Sequence, residues 1–516
     1  MRQLVLAVCA IGIAAVGAGG TADRAFAGSL CVGSGAHCFA TIQAAVDAAN
    51  DGDVIHVGPG TFAGGITIDT SVKLIGAGAG ATTISGGGPV LTIGEADAPS
   101  EPTVAIKGAT ITGGVNTAAP ALGGGIYVPA SSNGGGATVT ISDSLVTGNH
   151  AAPASAGPGC GGLPAATGSG GGIDNAGAMT LTNVLVTNNE AGSNIASDAD
   201  GGGIMNEKQA TLTLRSSVVA GNVARVTTPN GRFAAGGGIF TRRGSTLTIH
   251  ASVVNGNTVD YATSVPADDL CGGLAQAGGI KIGGDETTAV TIGNTAISGN
   301  SILAGSSNGD LVAFAGGIDD DGSLVLRDTT VSDNRVSGTG GASVLLDAGA
   351  LEIDGAAVIN NTRFTSNSVS ATALSGAASS QAGAIWTATQ DLLIISDSVI
   401  SGNSASSTIA TGSAIVQGGG IQNGGLLELR NTPVVDNTGT ASGPSGIAQG
   451  GGIWNSALLD EVPTVQLTLR DSAVTHNALN GSPGITLQGG GLFTTFPVTL
   501  KDSLIATNTP DQCYGC

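Results

Sequence analysis

Two acidic residues, Asp319 and Glu352, occupy the same position in successive copies of a sequence repeat in this chain of 516 residues. If each copy forms one layer of a stack, their carboxyl groups stand about 5 Å apart, as in retaining glycosidases. Two close carboxyl groups raise the pKa of one of them, as an acid catalyst requires. Lys281 occupies the preceding layer. We therefore take Asp319 and Glu352 as candidate catalytic residues; the alternative is an ordinary charge ladder in solvent.

The same position carries aromatic residues in other copies of the repeat. We expect this column to face solvent on the outside of a strand, beside loops of variable length. Exposed aromatic rings on a rigid sheet suit stacking on sugars or contact with another protein. The alternative is that the loops fold over the rings and bury them as a satellite core. The candidate ligand-binding residues are Tyr127, Phe240, Trp386, Trp454 and Phe493.

A second outward column is basic. Guanidinium groups bind carboxylates through paired hydrogen bonds, so this column could hold a uronate polymer. We favour the other interpretation, in which the bases neutralise acidic residues at the adjoining corner of a very acidic chain. The column consists of Arg215, His250, Arg327, Arg430, Arg470 and Lys501.

The repeat that carries these columns occurs eleven times between Gly123 and Asn508. Each copy has a Gly-rich segment ending in Ile or Leu, a short apolar alternation, and then Ser/Thr-x-(Val/Ile/Phe)-x-x-Asn. Positions eight and ten before the closing Asn are apolar, so both side chains lie on one face of a strand. The closing residues are Asn149, Asn189, Asn222, Asn257, Asn300, Asn334, Asn367, Asn403, Asn437, Asn477 and Asn508.

Such a repeat predicts an all-β coil whose turns stack in parallel and bury one continuous core. Asp or Asn six positions before the closing Asn, followed by Ser or Thr, marks a corner between two strands. The stretch from each Asn to the next Gly-rich segment varies most in length, and we assign it to loops. The long helical periods of an α-solenoid are absent.

These repeats resemble those of right-handed parallel β-helix proteins of the pectin-lyase-like group. Residues 41–62, TIQAAVDAANDGDVIHVGPGTF, resemble the N-terminal cap of exported members of that group. The resemblance implies a single right-handed parallel β-helix with a short capping helix that includes Ile42 and Val46. We divide the chain into a cap with the first coils at 28–122, eleven coils at 123–509, and a Cys-containing tail at 510–516.

The local signatures of the group's enzymes are missing. The polygalacturonase set Asn-Thr-Asp, Gly-His-Gly and Arg-Ile-Lys is absent, as are the Arg-x-Pro-x-x-Arg stretch of pectate lyases and the Gly-x-x-Asp-Phe-Ile-Phe-Gly run of pectinesterases. The five histidines show neither metal nor triad spacing. We therefore predict no metal and no cofactor, and the fold alone does not specify an activity.

The N-terminal 27 residues have the features of a secretory signal. Arg2 precedes an apolar run, and Ala25-Phe26-Ala27 offers a cleavage site, so we expect a secreted or periplasmic protein cleaved near Ala27. No later segment is long and apolar enough for a membrane helix, so the chain is predicted not to span a membrane. The formal net charge of -20 argues against nucleic acid as a partner.

Six cysteines remain after cleavage, and an even number in an exported chain favours disulfides. Cys31 with Cys38, and Cys513 with Cys516, would staple the two ends. Cys160 and Cys271 lie in two long loops, and their pairing stays open.

Three functions are compatible with these features. The leading hypothesis is an exported, adhesin-like module that binds a polysaccharide or a cell-surface component through the aromatic column and the loops. The second is a polysaccharide lyase or glycoside hydrolase with an unrecognised carboxylate site at Asp319 and Glu352. The third is a structural spacer in the cell envelope.

Overall fold

The computed structural model describes residues 27–96, 100–131, 135–155, 166–229, 231–264, 273–285, 287–307, 309–457 and 464–516. In this part of the chain the backbone winds as a solenoid, and its strands form four sheets in which every pairing is parallel. The predicted fold class, an all-β parallel β-helix with a short N-terminal helix, is confirmed.

Two sheets enclose the main core. The bent sheet, in which most coils contribute two strands around a corner, comprises Ser29–Val32, Val54–Val57, Gly60–Ala63, Lys73–Gly76, Thr82–Ser85, Thr103–Lys107, Thr110–Thr112, Thr138–Thr147, Ala178–Thr187, Thr211–Arg215, Val218–Ala220, Thr246–His250, Val253–Asn255, Ala289–Gly293, Ala296–Ser298, Ser323–Arg327, Thr330–Ser332, Ala356–Asn360, Arg363–Thr365, Leu393–Ser396, Val399–Ser401, Leu426–Arg430, Val434–Val435, Gln466–Arg470, Ala473–Thr475, Val498–Lys501 and Leu504–Ala506. The short-strand sheet comprises Ile66–Ile68, Leu91–Ile93, Ile126–Val128, Ile173–Asn175, Ile204–Asn206, Ile239–Thr241, Ile280–Ile282, Ile318–Asp320, Leu351–Ile353, Ile385–Thr387, Ile421–Asn423, Ile453–Asn455, Leu492–Thr494 and Cys513–Tyr514.

Two further sheets form a side lobe. The outgoing lobe sheet, which follows the closing Asn, comprises Val115–Asn116, His150–Ala151, Glu190–Ser193, Val223–Val226, Thr258–Thr263, Ser301–Ser306, Arg335–Gly340, Ser368–Ala373, Ser404–Ile409, Thr438–Ser442 and Ala478–Gly481. The returning lobe sheet, which precedes the Gly-rich segment, comprises Ala121–Leu122, Thr167–Ser169, Asp198–Asp200, Phe233–Ala235, Leu274–Gln276, Leu311–Phe314, Val344–Asp347, Ala377–Gln381, Ser413–Gln417, Ser445–Gln449 and Ile485–Gln488.

The side lobe corrects the assignment of these stretches to loops. Its two sheets pack face to face over a second apolar core that includes Val336, Val344 and Leu346, each at most 1% exposed. Many of its inward residues are small, as in the strand Ser368–Ala373, SVSATA. Because Ala and Ser give a weak hydrophobic alternation, these strands do not stand out in the sequence.

The closing Asn residues form a buried ladder at the turn from the bent sheet into the lobe. Each is at most 5% exposed. The side-chain amide of Asn334 donates to the carbonyl of Ile297 at 3.0 Å and to Oδ1 of Asn367 at 3.0 Å. Oδ1 of Asn367 also accepts from the backbone N–H of Asn334 at 3.1 Å. The side chain of Asn334 thus satisfies a buried carbonyl and a buried N–H of the preceding coil and bonds to the Asn side chain of the next coil, which explains the invariance of this position along the repeat.

The Gly-rich segment fits against this ladder. A Cβ atom at Gly238 would lie 2.7 Å from the carbonyl oxygen of Gly279 and 2.9 Å from Nδ2 of Asn257. Two residues earlier, Gly236 has φ of 61°, in the left-handed region that favours glycine. The Gly-rich motif of each repeat therefore indicates a tight turn between the lobe and the short-strand sheet.

The predicted corner is also present. Asp328 and Asn361 adopt φ values of 51° and 46°, which Asp and Asn tolerate better than most residues. The amide of Asn361 donates to Oδ1 of Asp328 at 2.6 Å, so the corner side chains form a ladder along the solenoid. This ladder is exposed, in contrast with the buried Asn ladder.

The N-terminal end carries the predicted cap. The helix spans Ile42–Asp47, and the hydroxyl of Thr41 caps it by accepting from the backbone N–H of Ala44 at 3.2 Å. Ile42 and Val46 are buried against the first coils. Stacking continues across residue 122, because the strand Thr103–Lys107 pairs with Thr138–Thr147.

The structure contains both predicted terminal disulfides, Cys31 with Cys38 and Cys513 with Cys516. Cys160 and Cys271 lie outside the described residues, as do residues 1–26 of the predicted signal. None of the helical structure in the described ranges is long and apolar enough to cross a membrane.

Replacement of Asn334 by Ala should destabilise the central coils. The change removes four hydrogen bonds: two that the side-chain amide of Asn334 donates, to Ile297 and Asn367, and two that its Oδ1 accepts, from the backbone and the side chain of Asn300. Because these groups are buried, we expect a loss of about 2 to 4 kcal/mol in the free energy of unfolding. Chemical denaturation followed by circular dichroism measures it.

The matched control is Asn480→Ala, at an exposed position of the last outgoing lobe strand. It should change stability by less than about 0.5 kcal/mol. Equal midpoints for Asn334→Ala and the native protein would contradict the role given to the ladder.

Candidate functional site

The column that carries the candidate site residues lies on the outer face of the short-strand sheet, but it is not exposed. Phe240, Trp454 and Phe493 are 8%, 4% and 6% exposed, and Tyr127 and Trp386 are half-buried. The predicted exposure of this column is therefore wrong. The reason is the side lobe: its tight Gly turn folds the ends of the returning lobe strands over this face.

Hydrogen bonds show how the lobe covers the column. The indole N–H of Trp386 donates to Oε1 of Gln381 at 3.1 Å, and that of Trp454 donates to Oε1 of Gln449 at 3.2 Å. Both glutamines end returning lobe strands. Trp454 also stacks on Phe493, with ring centroids 6.3 Å apart, and Phe493 stacks on Tyr514 at 5.5 Å. The alternative, burial of the rings, holds for Phe240, Trp454 and Phe493, whereas Tyr127 and Trp386 are only half-buried.

Asp319 and Glu352 are neighbours in register on adjacent strands, as predicted. Lys281 pairs with Asp319 on the other side. Asp319 is 1% exposed and Glu352 is 4% exposed, so the alternative of a ladder in solvent is wrong. Neither carboxyl group reaches the surface in this arrangement, so their position gives no support to direct contact with a polymer.

Lys281 sits at the centre of a buried charge cluster, the Lys281 cluster, which comprises Lys281, Asp319, Asp321, Asp347 and Glu352. The Nζ atom of Lys281 lies 2.7 Å from Oδ1 of Asp319 and 2.7 Å from Oδ2 of Asp321. The Asp321 side chain is 34% exposed and connects the cluster to solvent. Asp347 ends a returning lobe strand and adds a carboxyl group from the lobe.

Burial shifts the protonation of this cluster. It raises the pKa of Asp319 to about 7, although Lys281 acts in the opposite direction. Burial and the charge of Asp319 raise the pKa of Glu352 well above its usual range, and burial does the same for Asp347. Burial lowers the pKa of Lys281, but Asp319 and Asp321 outweigh it and the net shift is upward. The cluster therefore retains protons on carboxyl groups near neutral pH.

Three carboxylate oxygens of the cluster have no hydrogen-bond partner among the described residues: Oδ2 of Asp319, Oδ1 of Asp347 and Oε2 of Glu352. A protonated carboxyl group carries no charge to solvate, which lowers the cost of such burial. No group of three or more His, Cys, Asp or Glu side chains in the described ranges has an arrangement suited to a metal ion.

A second site, which the sequence did not indicate, is an open cleft of about 550 Å³ at the coils that contain Phe233 and Phe240. We call it the basic cleft. Its charged lining consists of Lys208, Arg232, Arg242 and Arg243 against Asp198 and Asp200. Glu207 pairs with Arg242 at 3.4 Å and Asp285 pairs with Arg243 at 2.5 Å, so each arginine of the cleft has a carboxylate partner. Lys208 is exposed and has no ion pair with a described residue, in a chain with a net charge of -20.

Ion pairs hold the arginines of the basic cleft in place. Arg232 binds Asp198 through two hydrogen bonds of 3.1 and 2.8 Å. Arg242 binds Asp200 at 2.6 Å, and its guanidinium lies 5.9 Å from the centroid of the Phe240 ring. Burial raises the pKa of Asp200 to about 6, against the effect of Arg242. Oδ1 of Asp200 is buried and has no partner in the described part of the chain.

The cleft escaped sequence reasoning because its residues come from three kinds of element. Phe233 and Arg232 belong to the start of a returning lobe strand, Phe240 to a short strand, and Arg242 and Arg243 to the turn that follows it. The available signal was the adjacent Arg242 and Arg243, an uncommon pair in an acidic chain.

Two members of the basic column on the bent sheet, Arg430 and Arg470, neutralise an acidic residue, but it is not one of the corner residues that we expected. Arg430 binds Glu428 through two hydrogen bonds of 3.0 Å, and Arg470 contacts the same carboxylate. Glu428 lies on the same outer face rather than at the corner. Its pKa is lowered by these hydrogen bonds, first by the one from Arg430.

The buried carboxyl groups should make the protein more stable at low pH than at high pH. The folded pKa of Asp347 lies above its unfolded value of about 3.9, so its contribution is complete below that value and is lost as pH rises through the folded pKa. We expect the thermal midpoint to fall as the pH rises through about 6 to 7, where Asp200, Asp319 and Asp320 lose their protons. Asp347→Asn should show a smaller fall. Differential scanning fluorimetry across this range measures it.

The control is Asp391→Asn, which removes an exposed carboxylate from a loop. It should keep the pH dependence of the native protein. If Asp347→Asn also keeps it, the protonation state assigned to Asp347 is incorrect.

No family model matches this sequence, and no curated protein is similar to it. Among solved structures, the A-module of mannuronan C-5 epimerase AlgE6 from Azotobacter vinelandii is similar over 91% of this chain and 95% of its own, with 14% identity and a TM-score of 0.32. The family 28 exopolygalacturonase of Yersinia enterocolitica is similar over 91% of this chain and 75% of its own, with 12% identity and a TM-score of 0.29. The Agl-KA catalytic domain is similar over 89% of this chain and 64% of its own, with 13% identity and a TM-score of 0.28.

These similarities are too low to transfer any residue or activity to this chain. Its architecture rests on its own strand pairing, which runs in parallel from coil to coil in all four sheets. By its fold the chain is a parallel β-helix protein, as its resemblance to the pectin-lyase-like group implied.

Proposed function

We propose that this protein is an exported polysaccharide-binding protein that holds acidic sugar residues in the basic cleft. The observation that carries the proposal is a cleft of about 550 Å³ that gathers four basic side chains on a strongly acidic chain, two of which, Lys208 and Arg243, are exposed. Such a cleft attracts a negatively charged group while the rest of the surface repels it.

The basic residues differ in their capacity to bind a ligand. Lys208 is exposed and has no ion pair with a described residue. Arg243 is 69% exposed and meets only the carboxylate of Asp285, at 2.5 Å. These two side chains can bind a sugar carboxylate without breaking a buried pair. Arg232 and Arg242, fixed by Asp198 and Asp200, form a rigid wall.

An aromatic surface completes the site. Phe233 is half-buried, and its ring centroid lies 6.3 Å from that of Phe240. The apolar face of a sugar ring packs well on an aromatic ring, while its hydroxyl groups bond to Arg–Asp pairs at the edge. This combination favours a sugar with both hydroxyl groups and a carboxylate over a simple inorganic anion.

The test compares retention on an immobilised polyuronate with retention on a neutral glucan of similar length. The native protein should bind the polyuronate more tightly. The double variant Lys208→Gln with Arg243→Gln should bind it at least about tenfold more weakly, because a hydrogen bond to a charged group contributes about 1.5 to 3 kcal/mol.

The matched control is Arg215→Gln with Arg327→Gln, which removes the same charge from two exposed positions on the bent sheet. It should leave binding within about twofold of native, since distant surface charges are screened. Equal weakening by both double variants would mean that net charge, not the cleft, governs binding. No retention of any polyuronate by the native protein would end the proposal.

Binding should strengthen as the pH falls from 7.5 to 5.5. Asp200, with a pKa raised to about 6, loses its negative charge over this range, whereas a sugar carboxylate stays ionised. Asp200→Asn should bind more tightly at pH 7.5 and lose most of this pH dependence. A titration of affinity against pH for both proteins measures it. An unchanged pH profile in Asp200→Asn would contradict the role of this group.

A further inference from the structure

We propose that Lys281 and Asp319 become joined by a spontaneous amide bond between Nζ and Cγ, with Glu352 moving the protons. Such a bond would be a covalent modification that cross-links two successive coils inside the protein. It needs no enzyme and no cofactor, because all three side chains are already in one buried place.

The geometry brings the reacting groups together. Nζ of Lys281 lies 2.7 Å from Oδ1 of Asp319, so the carboxyl carbon is within reach of the amine without a change of backbone. The two side chains are 3% and 1% exposed. They stand opposite each other on paired strands, which holds the contact in one orientation. Because the amine and the carboxyl group are held in contact, their reaction does not require an encounter between two separate molecules.

Glu352 is placed to act as the proton carrier. It is the register neighbour of Asp319 on the next strand, it is 4% exposed, and its Oε2 atom has no hydrogen-bond partner among the described residues. Oδ2 of Asp319 is likewise buried and unpartnered within that part of the chain. Two unsatisfied oxygens on adjacent side chains are costly unless a proton is shared near them.

The reaction balances with water as its only by-product. The lone pair of the neutral amine attacks Cγ of the protonated Asp319 carboxyl group, and a C–N bond forms. The protonated Glu352 gives its proton to the hydroxyl group on carbon, and its other oxygen takes a proton from nitrogen. The C–O bond then breaks, water leaves, and an amide remains. Glu352 ends in its initial state, and nothing is oxidised or reduced.

The surroundings both help and slow this reaction. Burial keeps a proton on Asp319 and Glu352 near neutral pH, which supplies the electrophile and the carrier. Asp320 is buried in the next position and also retains a proton, so it adds little negative charge. Asp321 acts in the opposite direction, because its carboxylate at 2.7 Å favours the charged form of Lys281. The neutral amine is therefore the scarce reactant.

Asp319 rather than Asp321 is the partner of the bond. The Asp321 side chain is 34% exposed, so solvent stabilises its ionised form, and an ionised carboxylate resists attack by an amine. The carboxyl neighbour of Asp321 in the next coil is Asp354, which is exposed, whereas Glu352 is buried. The bond would close a loop between residues 38 positions apart, which is one turn of the solenoid.

Peptide mass spectrometry tests the bond directly. Lys281 is the only basic residue between Arg243 and Arg327, so trypsin should release two peptides, Gly244–Lys281 and Ile282–Arg327, from an unlinked chain. An amide at Lys281 blocks cleavage there. The linked protein, reduced and alkylated, should give one peptide, Gly244–Arg327, lighter than its sequence by one water molecule. Fragmentation should assign the link to Lys281 and Asp319.

Three variants of the full chain establish the roles of the neighbours. Lys281→Arg keeps the charge but cannot react, so it should give two separate peptides. Glu352→Gln should remain folded by circular dichroism and stay largely unlinked. Asp321→Asn should link faster, because it removes the charge that holds Lys281 protonated. A time course after refolding from denaturant measures the rates.

Each of these experiments has a result that would overturn one part of the proposal. Two unlinked peptides from native protein kept for days at pH 7 and 8 would overturn the proposal. Equal linkage in Glu352→Gln would overturn the role of Glu352 while leaving the bond. Slower linkage in Asp321→Asn would overturn the claim that the Asp321 carboxylate slows the reaction by keeping Lys281 protonated. None of these results depends on the ligand of the basic cleft.

Discussion

The structure depends on one constraint: every coil must place its backbone in hydrogen-bonding register with the coil before it. The buried Asn ladder enforces this at the turn where the chain leaves the main core. Asn334, for example, bonds to the backbone of one neighbour and to the side chain of the other. A slip by one residue would move inward residues such as Leu326 to the outer face and break the ladder at once.

Register also explains how charges come to be buried. The outer face of the short-strand sheet stacks equivalent residues of successive coils directly over one another, so Lys281, Asp319 and Glu352 meet. The side lobe then covers this face and removes water from it. Burial of a charge is costly unless the group is paired or protonated, and this cluster uses both means. A covalent bond between Lys281 and Asp319 would remove two of these charges permanently.

The same covering leaves the basic cleft open near Phe233. There the arginines are held by carboxylates at their bases while their outer donors remain accessible. In the proposed function, the exposed Lys208 and Arg243 would bind an acidic ligand at this cleft without a large apolar surface. The cleft and the Lys281 cluster lie on the same column, which passes from Phe240 to Lys281 in adjacent strands.

The sequence alone determined the main coil, because its inward columns are large and apolar, its closing Asn never varies, and Asp or Asn mark most corners. It also placed Asp319 beside Glu352, since register follows from the repeat. Only the tertiary structure decided that Trp454, Asp319 and Glu352 are buried. The lobe that covers them is built from Ala, Gly and Ser, whose small side chains give little periodic signal but allow two sheets to pack closely. The basic cleft likewise required the fold, because Lys208, Arg232 and Arg243 share no position in the repeat and meet only when neighbouring coils stack.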